Sequence, residues 1–419
     1  MKPAAIALAA LLNLLEQPLA ADNIPVDLEL YSDLRLSHAS GETSWFAGRF
    51  GKTRYGGDTR GGAATRLRLA EVSLIAKADV AWDLQAFAHA KFDPEQDKPV
   101  DLVEAYLRYA PAPTSAFSYA IKAGLFFPHI SRENTAIAWT SPFSITPSAI
   151  NSWVGEEVRA LGLEAKGTLK SGDHAIDFTV AGFGFNDTNG ALLAFRGWTL
   201  GDAKVGAFSQ LPIAPLPGIG PDSGFLLSQA LFTVPAKEID NRVGFYGALD
   251  YRFSNKLKLG AFYYDNRGDP EITIDQQYAW DTRFWNFYAE GEVGADIKLI
   301  AQYLTGSTVM GFLFGDEQLR QVDVDFYAAY ALATKKMGRY RLTARYDWYG
   351  VTDNSFILLD NNNEDGDAFT VALAAKLGKK TSVIAEYLRV DSVRPARLSI
   401  GDEADQHNNV FQLSFRQRF

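Results

Sequence analysis

From about residue 26 onward, the chain alternates apolar and polar residues with a period of two, in segments of about ten residues separated by turn residues. Phe245, Leu249 and Phe253 share one face of such a segment, and Leu257 and Leu259 share one face of the next. Successive side chains of a β-strand point to opposite sides of the sheet. The pattern therefore predicts an all-β protein whose strands are apolar on one face and polar on the other.

The number and spacing of these segments indicate a closed barrel. Sixteen segments are regular, and two weaker ones, Ala191–Leu200 and Ala203–Phe208, would raise the total to eighteen. Tight connections such as 254–256 alternate with long ones such as 127–157 and 308–319. A transmembrane antiparallel β-barrel of 16–18 strands has this rhythm, with short periplasmic turns and long extracellular loops. A soluble β-sandwich is the alternative, although it would not need so regular an alternation of connection lengths.

One segment contains a break in its own alternation. Between Arg66 and Ala78 the apolar face shifts from Leu69 to Val72. One extra residue in a strand, a β-bulge, moves the residues that follow it onto the other face. We therefore expect a bulge near Ala70.

Residues 1–21 predict an export signal. Lys2 is followed by the apolar stretch Ala4–Leu15 and then by small residues suited to cleavage. A buried N-terminal helix is the alternative, and the stretch is shorter than the ~20 apolar residues that a transmembrane helix needs. The remaining chain, residues 22–419, is expected to form a single domain.

The apolar faces favour a membrane location. In water they would form a large exposed apolar band, whereas the acyl chains of a bilayer solvate such a surface. The last segment, Asn408–Phe419, alternates throughout and has an aromatic residue at its end, as the terminal strands of Gram-negative outer-membrane proteins do. We therefore expect the barrel to lie in the bacterial outer membrane, surrounded by lipid and lipopolysaccharide.

The opposite faces carry charge of both signs. The chain has 41 basic and 50 acidic residues and a net charge of −9, but the residues assigned to the inner faces nearly balance. So many ions would be costly in a dry core, whereas a barrel of this size encloses water. We expect a water-filled lumen with little net ion selectivity. The pore-lining candidates are Arg66, Arg68, Arg108, Lys122, Arg132, Glu133, Glu156, Glu157, Arg252, Asp323, Asp325, Arg341, Arg345 and Arg416.

The long connection 127–157 is unusually apolar for a surface loop. Thr146 and Pro147 would suit the cap and first position of a short helix. An apolar loop is expected to fold inward against the wall and to narrow the pore; a lid or a subunit-contact loop is the alternative. Charged side chains would then meet across the lumen: Arg132, Glu133, Glu156 and Glu157 from the loop, and Arg341 and Arg345 from the wall.

The composition excludes several chemistries. The chain has no cysteine, which rules out disulfides, cysteine nucleophiles and thiolate metal sites. Its five histidines form no zinc-binding pair, and no serine motif accompanies His89 or His129. An acidic chain is unsuited to general binding of nucleic acid, which needs a basic face. We expect no catalytic residue, no metal site and no cofactor.

Three stretches between residues 65 and 133 carry a family resemblance. They are the run RLRLAEVSLIAKADVAWDLQAFAHAKFD, the strand with Glu104-Ala105-Tyr106, and Gly124-x-Phe126-x-Pro128 followed by Glu133. In these features the chain resembles the phosphate-selective porin O and P superfamily. The resemblance implies an outer-membrane channel that assembles as a homotrimer. It does not extend to phosphate selectivity, because that family relies on rows of inward Arg and Lys, whereas basic and acidic residues balance here.

Together these observations predict an outer-membrane porin, not an enzyme, through which small hydrophilic solutes or ions diffuse passively. A substrate-specific channel, for saccharides or for export, is the first alternative, and inward aromatic residues such as Tyr106, Tyr246, Phe262 and Tyr264 would favour it. An outer-membrane hydrolase is the second, and it would need a serine, a histidine and an acid near one rim.

Overall fold

The structure is a computed structural model that describes residues 24–419, except 59–60, 221–225, 227, 255, 295, 317 and 356–360. The export signal predicted over residues 1–21 lies outside the described residues. Within the described part, no helix has the length and apolar character needed to cross a bilayer.

The described strands form one large closed barrel and two small sheets. In chain order the strands are β1 (Val26–Ser40), β2 (Ala64–Ala81), β3 (Leu84–Phe92), β4 (Val100–Tyr109), β5 (Phe117–Phe126), β6 (Ala160–Ser171), β7 (His174–Gly184), β8 (Leu211–Pro212), β9 (Phe232–Thr233), β10 (Gly244–Phe253), β11 (Leu257–Asp265), β12 (Thr273–Ile274), β13 (Gln277–Tyr278), β14 (Asp281–Val293), β15 (Ile297–Phe314), β16 (Leu319–Met337), β17 (Tyr340–Asp353), β18 (Glu364–Lys376), β19 (Thr381–Val393) and β20 (Asp405–Arg418). β8 pairs with β9, and β12 pairs with β13, within loops. The other sixteen strands form the barrel, closed by antiparallel pairing of β20 with β1. The prediction of an antiparallel barrel is confirmed, with the lower strand count.

Short turns join the strands at one rim and longer loops at the other. β6 and β7, for example, are separated only by residues 172–173. At the opposite rim the longest connections are residues 41–63, 127–159 and 185–243. The alternation follows the predicted pattern, so the loop rim is the extracellular one and the turn rim the periplasmic one.

The predicted bulge is present in β2. Asp33 of β1 pairs with Glu71, the next residue Leu34 pairs with Leu69, and Ala70 is left between them. The extra residue lets Leu69 stay in line with the apolar outer face while Glu71 points inward, as the shift in the sequence indicated.

The outer surface of the wall is apolar. Leu34, Leu163 and Leu249 remain exposed on it. Trp82 in the β2–β3 turn is 81% exposed, and Trp285 lies exposed near the extracellular end of β14. Amphipathic rings near both ends of the strands match the two interfaces of a bilayer. The outer wall is therefore suited to contact with lipid.

The structure reverses the predicted faces of β16. Val324 and Phe326 point inward and are buried, whereas Asp323 and Asp325 occupy the alternate, outer positions. β16 has 19 residues, more than the ~9–11 that cross a bilayer, so its first residues extend above the membrane. There the side-chain amide of Asn354 donates to Asp325 Oδ2 at 2.9 Å. The expectation that these two aspartates line the pore is corrected: both residues occupy outer positions of β16.

The same extension corrects a predicted loop. The connection expected over residues 308–319 is occupied by β15 and β16, which continue as a long hairpin and leave only residues 315–318 as the turn.

Two short helices lie inside the barrel, where two strands had been considered. Helix α1 covers Ala149–Glu156, and helix α2 covers Ala191–Phe195. The segment Ala191–Leu200 is therefore not a strand, and Ala203–Phe208 forms no ladder either. The sixteen barrel strands pair with one another, and the second segment meets the wall through a single backbone hydrogen bond, from the N–H of Ala207 to the carbonyl of Leu102 at 2.8 Å.

Helix α1 begins two residues later than predicted. Its cap is Ser148, whose hydroxyl accepts from the backbone N–H of Asn151. The N–H groups of Ile145 and Thr146 instead donate to the carboxylate of Glu386 at 2.5 and 3.1 Å. Glu386 lies on β19, so its carboxylate holds the backbone of Ile145 and Thr146 against the wall. The helix begins after Pro147.

Candidate functional site

Three segments from the extracellular rim fold into the barrel and fill its extracellular half. We call them the inner loops: residues 41–57, 127–159 and 186–216. Connections normally lie on the surface and are exposed. Here residues 50–57 and every residue of α1 and α2 are buried. The expectation that the 127–157 connection folds inward agrees with this arrangement, and two further segments accompany it.

Aromatic residues form the centre of the filled region. The ring of Trp153 in α1 lies 5.8 Å from that of Trp198, 5.2 Å from Phe284 of β14 and 5.6 Å from Phe326 of β16. Trp198 also donates its indole N–H to the carbonyl of Gly350 in β17 at 3.1 Å. The inner loops therefore contact widely separated strands at one depth, and the lumen there is packed rather than open.

Arg345 of β17 attaches the second inner loop to the wall. Its guanidinium is 3.0 Å from Glu133 and 2.7 Å from Asp347. It also donates to the backbone carbonyls of Thr146 and Pro147 at 2.8 and 3.0 Å. All three charged side chains are fully buried. Because one cation satisfies two carboxylates and two carbonyls, the loop position depends strongly on this residue.

The other predicted charge pairs across the lumen take different partners. Glu156 pairs with Arg196 of the third inner loop, not with a wall residue. Glu157 accepts from the indole N–H of Trp153 at 2.7 Å and from the N–H of Leu192 at 3.1 Å. Complete burial raises the pKa of Glu157 to about 7, and these donors offset the effect only in part. Both glutamates therefore hold the inner loops to one another.

Arg132 and Arg341 lie at the periplasmic side of the inner loops. The guanidinium of Arg132 lies 3.7 Å from the ring centroid of Tyr288, and its nearest carboxylate is Glu290 at 3.9 Å. Arg341 lies 5.2 Å from the ring centroid of Phe143. Of the predicted contacts between the loop and the wall arginines Arg341 and Arg345, the described residues contain the pair of Glu133 with Arg345.

Below the inner loops the lumen is open. Three cavities of about 340, 390 and 420 Å³ each touch part of the segment 129–142. The first cavity also reaches the turn residues Gly338 and Gly378 at the periplasmic rim. We call this open region the vestibule; the segment 129–142 forms its ceiling.

The two sides of the vestibule differ in charge balance. Toward β7 and β14, Arg252 lies 2.8 Å from Asp177, and Lys298 lies 2.7 Å from Glu290. Toward β16–β19, no carboxylate of the described part of the chain lines the cavity of about 340 Å³. Six cations on that side have no carboxylate within 4.0 Å among the described residues: Lys336, Arg339, Arg341, Lys376, Lys379 and Lys380. The near balance of basic and acidic residues that was expected over the whole lumen therefore does not hold on this side, where basic residues predominate.

The remaining candidates are spread from one rim to the other. Arg66 donates to the carbonyl of Gly56 at 2.6 Å, and Arg68 pairs with Glu95, both at the extracellular side. Arg108 is exposed near the periplasmic end of β4. Two more are paired on the wall: Lys122 lies 3.0 Å from Glu164, and Arg416 lies 3.3 Å from Asp33.

Charged residues of the first inner loop were missed by the sequence interpretation. Lys52 pairs with Glu364 of β18, and neither side chain is exposed. Burial lowers the pKa of Lys52 to about 7, although Glu364 opposes the shift. The sequence feature that could have indicated this fold is Gly51. A Cβ at this position would lie 2.1 Å from the carbonyl oxygen of Thr43, so the loop folds back tightly on itself.

A buried serine and histidine do not form a hydrolytic site. The hydroxyl of Ser73 is 2.9 Å from His89 Nε2. The nearby carboxylate, Glu71, accepts from the serine at 2.5 Å instead of orienting the histidine. In a serine hydrolase the acid binds the other histidine nitrogen. Neither Ser73 nor His89 is accessible to a substrate.

Three carboxylates approach one another in the loop after β7. Oxygens of Asp187, Glu238 and Asp240 lie within 4.8 Å of each other. Each accepts backbone N–H groups; Asp187, for example, accepts from Ile239 at 2.5 Å. Burial, with the two neighbouring acids, raises the pKa of Asp187 to about 7. These contacts organise the loop.

Comparison with known proteins supports the fold. The chain matches no family model and no curated protein sequence. Among solved structures it is similar to DcaP, an outer-membrane channel of Acinetobacter baumannii, with a TM-score of 0.56 and 12% identity over 94% of this chain and 97% of DcaP. OmpF of Salmonella typhi, in complex with daunomycin, gives 0.51 and 13% over 94% and 97% of the two chains. OmpT, an outer-membrane protein of Vibrio cholerae in a trimer form, gives 0.50 and 11% over 95% and 100%.

These likenesses define a class of fold. At such low identities they show the shared architecture alone, and the resemblance to the phosphate-selective porin O and P superfamily stays a prediction. A closed sixteen-stranded barrel with an apolar exterior is an outer-membrane β-barrel of the porin type. We assign the chain to the bacterial outer membrane.

Proposed function

We propose that the chain is an outer-membrane channel through which small hydrophilic solutes and ions diffuse passively. One observation carries this proposal: a single closed wall has an apolar outer face and charged residues, such as Lys122, Asp177 and Arg252, on its inner face. Charge of both signs on a channel wall favours polar solutes and water. No catalytic step and no cofactor is part of the proposal.

The packed inner loops set the expected size of the pore. In the extracellular half, side chains such as Trp153 and Trp198 occupy the middle of the lumen. Solutes that cross this region must be small, or the loops must move. We therefore expect a lower unit conductance than an open barrel of sixteen strands would give.

Planar-bilayer recording tests the proposal. The purified protein should produce steady, small conductance steps in potassium chloride. Liposomes that contain the protein should swell in small sugars and not in larger oligosaccharides. A correctly folded protein that gives neither conductance nor swelling would refute the proposal.

A substrate-specific channel for saccharides is less well supported. Of the four aromatic residues named for a sugar track, Tyr106 is half-buried, and Tyr246, Phe262 and Tyr264 are buried. Their rings pack against each other and against Phe183 and Phe284. A track must offer exposed ring faces to a passing sugar, so these residues are better suited to the packed core.

Assembly, processing and surroundings are also proposals. We propose a homotrimer in contact with lipid and lipopolysaccharide, made from a chain whose residues 1–21 are removed on export. Chemical cross-linking in isolated outer membranes should yield a trimer band, and mass spectrometry of the mature protein should give its first residue. A cross-linked product no larger than a monomer would contradict the trimer.

A further inference from the structure

A line of alternating charges connects the extracellular rim with the vestibule. Arg54 of the first inner loop lies 3.2 Å from Glu95, 3.0 Å from Asp93 and 3.1 Å from Asp202. Glu95 in turn pairs with Arg68, whose side chain is 41% exposed at the rim. The upper end of the line is thus reached from outside the cell.

The line continues downward along β1 and β20. The second oxygen of Asp202 is 2.7 Å from Arg35, which lies 2.6 Å from Asp33. Asp33 is 3.3 Å from Arg416, and Arg416 lines the vestibule cavity of about 340 Å³. We call this line the charge seam: Arg54, Asp202, Arg35, Asp33 and Arg416.

Several polar atoms beside the charge seam have no hydrogen-bond partner among the described residues. They are Ser37 Oγ, Tyr55 Oη, His89 Nδ1 and Lys91 Nζ. Ser37 is the next inward residue after Arg35 on β1, and Lys91 Nζ lies 3.8 Å from Asp93. Buried polar groups without a protein partner are normally met by water. We therefore expect water molecules along this side of the lumen.

The opposite wall is unlike the charge seam. Val324 and Phe326 of β16 are inward and buried against the apolar core. An ion there would lose its hydration without gaining polar partners. Ions can therefore pass more easily beside the charge seam than beside the apolar wall.

We propose that ions cross the barrel along the charge seam, between the inner loops and the wall formed by β20 and β1–β3, while the apolar core seals the rest of the lumen. The inference rests on the proposed channel function and adds the route and the residues that set its selectivity. An alternative role for the same ion pairs is structural, to hold the inner loops in place. The experiment must therefore measure whether a water-soluble reagent reaches the seam, as well as whether the channel conducts ions.

The absence of cysteine from the chain makes single-cysteine labelling clean. Ser37→Cys places a thiol beside the seam with little change in volume, and Ala328→Cys places one at an equally buried inward position of β16. The folded variants are treated with a trimethylammonium methanethiosulfonate reagent. Labelling is read by mass spectrometry and conductance by planar-bilayer recording. We expect labelling at residue 37 with a fall in conductance of at least about twofold, and no reaction at residue 328.

A charge variant gives a second, independent readout. Asp202→Asn removes a negative charge from the seam, and Asp402→Asn removes one from an exposed position in an extracellular loop. In a potassium chloride gradient, the reversal potential should move toward that of chloride for Asp202→Asn and stay unchanged for the control.

The outcomes distinguish an error in the proposed route from an error in the proposed channel function. If the unmodified protein conducts but residue 37 is unreactive, or reacts without a change in conductance, the route is wrong and the channel function stands. Labelling of residue 328 together with block would move the route to the opposite wall. An unmodified, folded protein that never conducts would refute the channel function and the route together.

Discussion

Replacing Arg345 tests how the inner loops are held in the barrel. Arg345→Met keeps most of the side-chain volume but removes the cation that lies between Glu133 and Asp347. Two buried carboxylates would then face each other without compensation, and the carbonyls of Thr146 and Pro147 would lose their donor. Removing one partner of a buried ion pair costs about 3–5 kcal/mol.

That free energy bears on the position of the second inner loop. Since about 1.4 kcal/mol corresponds to a tenfold change in an equilibrium, a loss of ~3 kcal/mol raises the population of the displaced loop roughly 10²-fold. The wall itself keeps its sixteen-strand ladder, because Arg345 contributes only its side chain to the lumen. We expect a folded barrel with more frequent or larger openings.

Single-channel recording provides the measurement, with Arg341→Met as the matched control. Arg341 lies on the same strand, also points inward, and has no carboxylate within 4.0 Å among the described residues. Heat-modifiable mobility in gels would show that both variants are folded. If Arg345→Met folds and its recordings match those of the unaltered protein, then the ion cluster does not hold the loop and the reasoning fails.

Three further predictions concern the loops and the vestibule. Deletion of residues 134–152 removes most of the vestibule ceiling and the first half of α1, and it should raise the unit conductance. The raised pKa of Glu157 means that the folded state binds its proton more tightly, so the free energy of unfolding should fall by about 3 kcal/mol between pH 4.5 and about 7, and Glu157→Gln should remove this dependence in thermal denaturation. Replacing both Lys379 and Lys380 by Gln removes two cations at the periplasmic mouth that pair with no carboxylate of the described chain, and the reversal potential should move toward that of the cation.

Each of these predictions has its own control or contradiction. An unchanged conductance after the deletion would show that residues 134–152 do not limit the pore. A Glu157→Gln variant whose stability still falls over the same pH range would assign the dependence to another group. Lys335→Gln, at an exposed outer position of β16, controls for general changes in charge.

The barrel wall was predictable because its signal is local. Each strand needs only an apolar residue at every second position, and lipid imposes that requirement regardless of what lies inside. The bulge at Ala70 was visible as a shift of one residue in the alternation of the sequence. Where lipid no longer imposes the pattern, the prediction failed: Asp323 and Asp325 stand above the bilayer, and alternation alone did not show which face was inner.

The contents of the lumen were decided by the tertiary structure. The apolar character of the 127–157 connection indicated that it folds inward, but not that two other segments join it. Those contacts link residues far apart in the chain, such as Lys52 with Glu364, Arg54 with Asp202, and Trp198 with Gly350. A pattern of neighbours along one strand contains no information about such pairs. By itself the sequence determined a lipid-facing wall of sixteen to eighteen strands, whereas the tertiary structure decided the count, and the packing of distant loops against that wall decided how much of the interior stays open.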